Sequence, residues 1–185
     1  MATFVGAFVD RDAVPVAEFE PPPYAFVPGG PWPHPRGTPG GHSFGRVEPK
    51  ADPVVHDAWE RSGVYLRGVA LFNAGYYWEA HEAWEALWHA HGRKGPKADL
   101  LKALIKLAAA GVKVREGQIH GVVTHARRAS ALFAASRLEA GGMQLGLDLT
   151  ALETIANQIA ADPPRDPGPP DARVSRVFPF RIEPH

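Results

Sequence analysis

The chain has 185 residues, 45% of them hydrophobic, with 20 basic and 20 acidic side chains and no cysteine. That length fits one domain with a sizeable core, and the balanced charge gives no sign of nucleic acid or an anionic membrane as a partner. The missing cysteine excludes disulfides and thiolate chemistry, leaves His, Asp and Glu as metal ligands, and favours a reducing compartment.

The N-terminus, "MATFVGAFVDRDAVPVAEFEPPP", has neither the basic start nor the long apolar run of a signal peptide. No stretch is apolar for about 18 residues, so no membrane span is expected. The expected class is a soluble cytoplasmic protein. Within this first segment, "TFVGAFV" and "VPVAEF" flank "DRDA" as the strands of a short hairpin would. Proline then divides the chain. Ten of the nineteen prolines lie in residues 1–50 and seven after 162, with only Pro53 and Pro96 between them. Helix interiors exclude proline, so the middle is read as helical and the ends as extended. Three regions follow: an arm rich in proline, glycine and aromatics over 1–50, a helical domain over 51–162, and a proline-rich tail over 163–185. The arm interleaves Tyr24, Phe26, Trp32 and Phe44 with its prolines, whereas solvated tails are poor in aromatics. It is expected to lie on the body or on a partner subunit, anchored by those rings.

In the middle region, Asp52 before Pro53 reads as an N-cap with proline at the first helical position. That helix runs to Ala74 and stops at Gly75, a residue suited to a left-handed C-cap. The next spans 76–91 and stops at Gly92. A third spans 98–116, with Leu101, Leu104, Ile105, Ala108 and Val112 on one stripe. A fourth spans 118–138, with Ile119, Val122, Val123, Ala126 and Phe133 turned inward. "EAGGMQLG" breaks the chain, and Thr150 with Glu153 resembles a capping box for a last helix ending near Ala160. "RVSRVFPFRI" in the tail alternates weakly, as a strand would. The predicted fold is all-α: a compact bundle of about five helices, two packed helical hairpins plus a C-terminal helix, with extended N- and C-terminal arms.

The second helix carries the chemistry-bearing residues. At about 100° per residue, Tyr77, Ala80, Trp84, Leu87 and Trp88 share one apolar sector that should face the core. Glu82, Glu85 and His89 share another with Trp78 among them, and His81 stands on the border. Glu79, Ala83, Ala86 and Ala90 occupy the remainder, the expected solvent side. His81, Glu85 and His89 are four residues apart and stack along one helix edge. Imidazole and carboxylate four apart on a helix reach one zinc-type ion, and a Glu after the first His is the water-activating base of His-Glu-x-x-His proteases. In that reading His81 and Glu85 are ligands and Glu82 is the base. Glu85 replaces the second His of the protease pattern, and Glu116, His120 and His125 are the candidates to complete the site. A second reading makes the same residues a structural hydrogen-bond network, with Lys102, Lys106, Lys113 or Arg115 from the third helix as partner, because a buried carboxylate needs one. A third lines a small-molecule or peptide site with Trp78, Trp88 and the polar stripe.

Phe72, Asn73, Gly75, Tyr77, Glu79, Ala80, His81, Glu82, Glu85 and Trp88, followed by Leu104, Ile105, Ala108, Ala109 and Gly117, resemble the two hallmarks of the family catalogued as domain of unknown function 309. The resemblance covers 65–135 and implies an all-α domain and a metal-dependent hydrolase. Members often have Gln where Lys106 stands; facing the His-Glu edge, a lysine there would repel a cation and favour a salt bridge. Gly75, Tyr77, Ala80 and Trp84 also match the spacing of tetratricopeptide hairpins, although a 34-residue repeat is absent. Two functions follow. One is a hydrolase using a divalent metal such as zinc on a His-Glu-x-x-Glu site; the other is a non-enzymatic helical interaction or dimerisation module. The partner classes left open are a small molecule and a second copy of the chain.

Overall fold

Each helix starts and stops where local chemistry allows it. In this computed structural model, which describes residues 20–47, 50–169 and 171–185, the Ser62 hydroxyl accepts from the Tyr65 amide at 3.4 Å and caps α1, Gly63–Ala74. Gly75 ends α1 at φ 94°, a left-handed value that costs glycine little. One residue later α2, Tyr77–Ala90, begins. Pro96 occupies the first turn of α3, Pro96–Arg115, where its missing N–H costs nothing. Glu116–Gln118 turn the chain into α4, Ile119–Ala140. The break after α4 is a two-strand hairpin, β1 Met143–Gln144 and β2 Leu147–Asp148, antiparallel, with Met143 opposite Asp148. Its turn residues Leu145 and Gly146 both have positive φ, 48° and 73°, as a two-residue hairpin turn requires. Leu145 is a rare residue for that region. It is fully buried, and its carbonyl accepts the Tyr65 hydroxyl at 2.8 Å. α5, Leu149–Ala161, closes the body.

The helices pack as sequential neighbours, α1 on α2, α2 on α3, α3 on α4 and α4 on α5, which is the predicted bundle of two hairpins plus a last helix. The core runs through Phe72, Trp84, Leu101, Leu104, Leu107 and Phe133. Two glycines let the first hairpin dock closely. A Cβ at Gly68 would collide with the Trp84 indole, and one at Gly111 would stand 2.6 Å from the Tyr77 ring. These approaches fully bury Trp84, the wide side chain at the centre of α2.

Several local expectations are corrected. Asp52 and Pro53 do not open a helix. Residues 51–55 are extended, His56–Arg61 form a 3₁₀ turn, and α1 begins only after Ser62. The reason is tertiary: Ala51 and Val54 are buried, and the Val54 amide donates to His91 Nε2 at 2.9 Å, so the extended chain gains partners that a helix would forgo. Asp148, not Thr150, caps α5, its Oδ1 accepting from the Thr150 and Ala151 amides at 2.8 and 3.1 Å. Glu153 instead pairs with Arg137 at 3.2 Å. Ile119 is 45% exposed because it sits at the very start of α4, beyond the reach of the core. "RVSRVFPFRI" forms no strand. Apart from the Arg173 carbonyl, which accepts from the Ala25 amide at 2.7 Å, its backbone bonds to side chains: the Val177 amide donates to the Tyr77 hydroxyl at 3.0 Å, and Ile182 exchanges two bonds with the Asn73 amide at 2.7 and 2.8 Å. The expected N-terminal hairpin lies outside the described residues.

Candidate functional site

Fourteen residues of α2 present two polar constellations, and residues 20–47 decide which is which. Tyr24 and Phe26 are buried, Trp32 is partly buried and Phe44 is 50% exposed. Phe26 packs edge-on against Trp78 with ring centroids 5.0 Å apart. The Phe26 amide donates to Glu79 Oε1 at 2.9 Å, and His42 Nε2 lies 3.1 Å from the same oxygen. The Glu79 and His42 side chains are 7% and 8% exposed. The other His42 nitrogen meets the Ser43 hydroxyl at 3.0 Å. Glu79 therefore does not face solvent, which corrects the wheel assignment. The wheel correctly turned it away from the helical core, but this chain segment covers that face. His42 is the residue that sequence reasoning missed. It sits in a glycine-rich run 37 residues from Glu79, with no periodicity to join them.

On the next edge, one ligand atom each from His81, Glu82 and Glu85 lie within 4.8 Å of one another. All three residues are half-buried. His81 stacks on Trp78 at 5.9 Å, and its Nδ1 is buried with no hydrogen-bond partner among the described residues. The same nitrogen lies 3.7 Å from Glu82 Oε1, an electrostatic distance rather than a hydrogen bond. The Glu82 carboxyl is held below its ordinary range, first by the His81 imidazole and then by Arg36 and His34, against the opposing effect of burial. Arg36 Nε stands 3.6 Å from Glu82 Oε2. A cavity of about 470 Å³ opens between residues 20–47 and the α1–α2 hairpin, and its walls include Arg36, Ser43, Glu79 and Glu82. Glu82 thus belongs both to the three-residue cluster and to the cavity wall.

The remaining candidates separate from this cluster. His89 is exposed and takes Arg93 as its partner at 2.6 Å. Trp88 is partly buried, with Arg93 and Lys102 over its ring at 5.3 and 5.7 Å. His120 is exposed on the first turn of α4. Glu116 is engaged by Lys113 at 2.7 Å, and Arg115 by Asp166 at 2.6 Å. From the facing helices, Lys106 on α3 and His125 on α4 do turn toward the cluster. Burial lowers the Lys106 ammonium, Arg128 and Lys102 lower it further, and Glu85 acts in the opposite sense. His125 is pushed down to about 4 by burial, then by Lys106, Arg128, Lys113 and His81. No described carboxylate lies within ion-pair distance of Lys106, so the salt bridge expected for a lysine facing the cluster is not formed among the described residues.

Together the fold and this edge define a small all-α protein whose second helix carries a His-Glu-x-x-Glu cluster able to hold a metal ion. Residues 65–125, which run from the first turn of α1 to His125, match the family model described as "Domain of unknown function (DUF309)". No curated protein matches the chain.

Proposed function

We propose that His81, Glu82 and Glu85 hold a divalent metal ion such as zinc, and that the protein is a cytoplasmic metal-dependent hydrolase. The convergence of three ligand atoms within 4.8 Å, one from a half-buried imidazole whose buried Nδ1 has no hydrogen-bond partner among the described residues, carries this reading. Ligands about 2.1 Å from one ion stand roughly 3–4 Å apart, so small rotamer changes close the set. One imidazole and two carboxylates also match the ligand types of catalytic zinc, which leaves a coordination position open. Bound there, the ion would act as a Lewis acid and lower the pKa of its water.

The protein's own residues do the positioning. Trp78 fixes the plane of His81 by stacking. Glu82 is kept ionised by its cationic neighbours, which suits an anionic ligand better than a base poised near neutral pH. Its sequence-based role as base is therefore replaced in this proposal by ligation. The cavity beside Glu82 offers space for a small molecule, within the usual range for ligand sites.

Protein purified without an affinity tag and supplied with metal should carry close to one ion per chain, with His81→Ala and Glu85→Gln largely empty. Fewer than about 0.1 ion per chain in the unmodified protein would overturn the proposal.

A second reading, a helical interaction module, is favoured by one observation. The motif residue Glu79 is occupied in holding residues 20–47 to α2. In that reading removal of residues 1–49 changes oligomeric state or tryptophan fluorescence, and no change in either would count against it.

A further inference from the structure

Beside the His81–Glu82–Glu85 cluster the facing helices place positive charge that Glu85 offsets only from beyond ion-pair distance. Lys106 and Lys102 are one helical turn apart on α3, and His125 and Arg128 are three residues apart on α4, so each pair shares a helix face. α3 packs on both α2 and α4, which brings these faces to the edge that carries His81 and Glu85. The cations of this region differ in their partners. Lys113 is held by Glu116 and Lys102 lies over the Trp88 ring. Lys106 and Arg128 make no ion pair and no side-chain hydrogen bond with any described residue. His125 between them is half-buried, and its Nδ1 is buried without a partner. Lys106 is also half-buried. A half-buried lysine and a buried, unbonded imidazole nitrogen cost free energy unless a partner joins them, and the exposed Arg128 guanidinium stands free to share an anion with them.

We propose that Lys106, Arg128 and His125 form an oxyanion subsite, and that the protein acts on small phosphate esters whose phosphoryl group docks there. This deepens the hydrolase reading and rests on it for the reaction, though not for the binding. A phosphate has several acceptor oxygens and up to two negative charges. The Arg128 fork and the Lys106 ammonium supply the charge-assisted donors such a group takes, and His125 adds a third donor from an imidazole nitrogen. Burial and the neighbouring cations hold His125 neutral, so one ring nitrogen carries hydrogen and the other is an acceptor. Lys106 is on this account a substrate-binding residue.

The test uses the full chain and inorganic phosphate as probe, followed by calorimetry and by the shift of the His125 ring protons in NMR spectra, with and without a chelator. Phosphate is expected to bind and to move the His125 resonances. Lys106→Gln and Arg128→Gln are each expected to weaken it about tenfold. Arg127→Gln, an exposed neighbour on α4, removes the same charge and is expected to leave binding unchanged. Helical circular dichroism confirms that each variant is folded. Phosphate binding that survives chelation while the unmodified protein carries no metal would leave the subsite standing and overturn the hydrolase. The subsite would be overturned by no phosphate binding, or by binding that Lys106→Gln and Arg128→Gln leave unchanged. Equal weakening by Arg127→Gln would also overturn it, since it would reduce the effect to net charge.

Discussion

Glu79 and Glu85 lie on one helix within two turns of each other, yet their surroundings are opposite. Glu79 is almost wholly buried, and its Oε1 takes an amide and an imidazole from a chain segment more than thirty residues away. Glu85 is half-buried and makes no hydrogen bond to any described residue. It stands with Glu82 and a histidine whose buried nitrogen is unpartnered. A polar group that is buried and bonded is explained by the fold, because leaving it unbonded would cost free energy. Polar groups that converge without bonding are not explained that way, and the proposed ion would supply the partner. The His-Glu motif therefore divides in two on one helix, one part that fastens residues 20–47 and one that could hold an ion. Trp78 joins them, with Phe26 against one part of its ring and His81 stacked on it.

The largest expected effect separates the two parts by stability. Glu79→Ala strands the Phe26 amide and His42 Nε2, at about 1–3 kcal/mol for each unsatisfied buried group. We expect a loss of about 2–4 kcal/mol in urea unfolding, with metal content retained. If stability stays within about 0.5 kcal/mol of the parent, the fastening role is wrong. His42→Ala removes one of those bonds and leaves the Phe26 amide in place, so it should cost about 1–2 kcal/mol by the same measurement.

The sequence disclosed the helices far better than it disclosed this division. Proline exclusion, Gly75 and Gly92 marked where helices run and stop, and Leu101, Leu104, Ile105, Ala108 and Val112 are all buried as their spacing implied. These are local signals, written within one or two turns. The failures are places where a distant partner outweighed a local preference. Asp52–Pro53 reads as a cap until His91 claims the Val54 amide. Glu79 reads as a solvent-facing residue until Phe26 and His42 cover it. Thr150 was a reasonable cap, but it lies inside the first turn, whereas Asp148 immediately precedes the observed helix start and bonds two amides. For the candidate site, the i, i+4 spacing of His81 and Glu85 was visible. The approach of Lys106 and His125 required knowing how α3 and α4 turn against α2.

A smaller effect probes the neighbourhood of the candidate site through pH. His125 has an ordinary value of 6.5 and is pushed down to about 4 in the folded chain, where burial, Lys106, Arg128, Lys113 and His81 disfavour its charged form. In the unfolded chain it takes up a proton first as pH falls through 6.5, so the unfolded state binds more protons between about 6.5 and 4. Stability is therefore full above that window and declines through it toward acid. Because the ring is only half-buried, solvent screens much of the shift, and a change of order 1 kcal/mol is expected. His125→Gln should flatten the profile of urea midpoint against pH over that window. An unaltered slope in the variant would show that other groups set it.

The smallest stability effect is the most discriminating. Glu85 has no described hydrogen-bond partner whose loss would be felt, and Lys106 beside it gains only a weak, screened attraction. Glu85→Gln keeps the shape of the side chain and removes its charge, so the metal-free protein should change by less than about 0.5 kcal/mol. Metal is expected to stabilise the parent in proportion to its affinity, since an ion that binds only the folded state shifts unfolding by mass action. Saturating metal should therefore raise the unfolding midpoint of the parent and of Glu79→Ala, and leave Glu85→Gln where it was. The two variants then fail in opposite ways, one in stability with the ion still bound, the other in ion binding with stability intact. If Glu85→Gln instead destabilises the metal-free chain as much as Glu79→Ala does, both carboxylates are structural, and the division of the motif collapses into a single network.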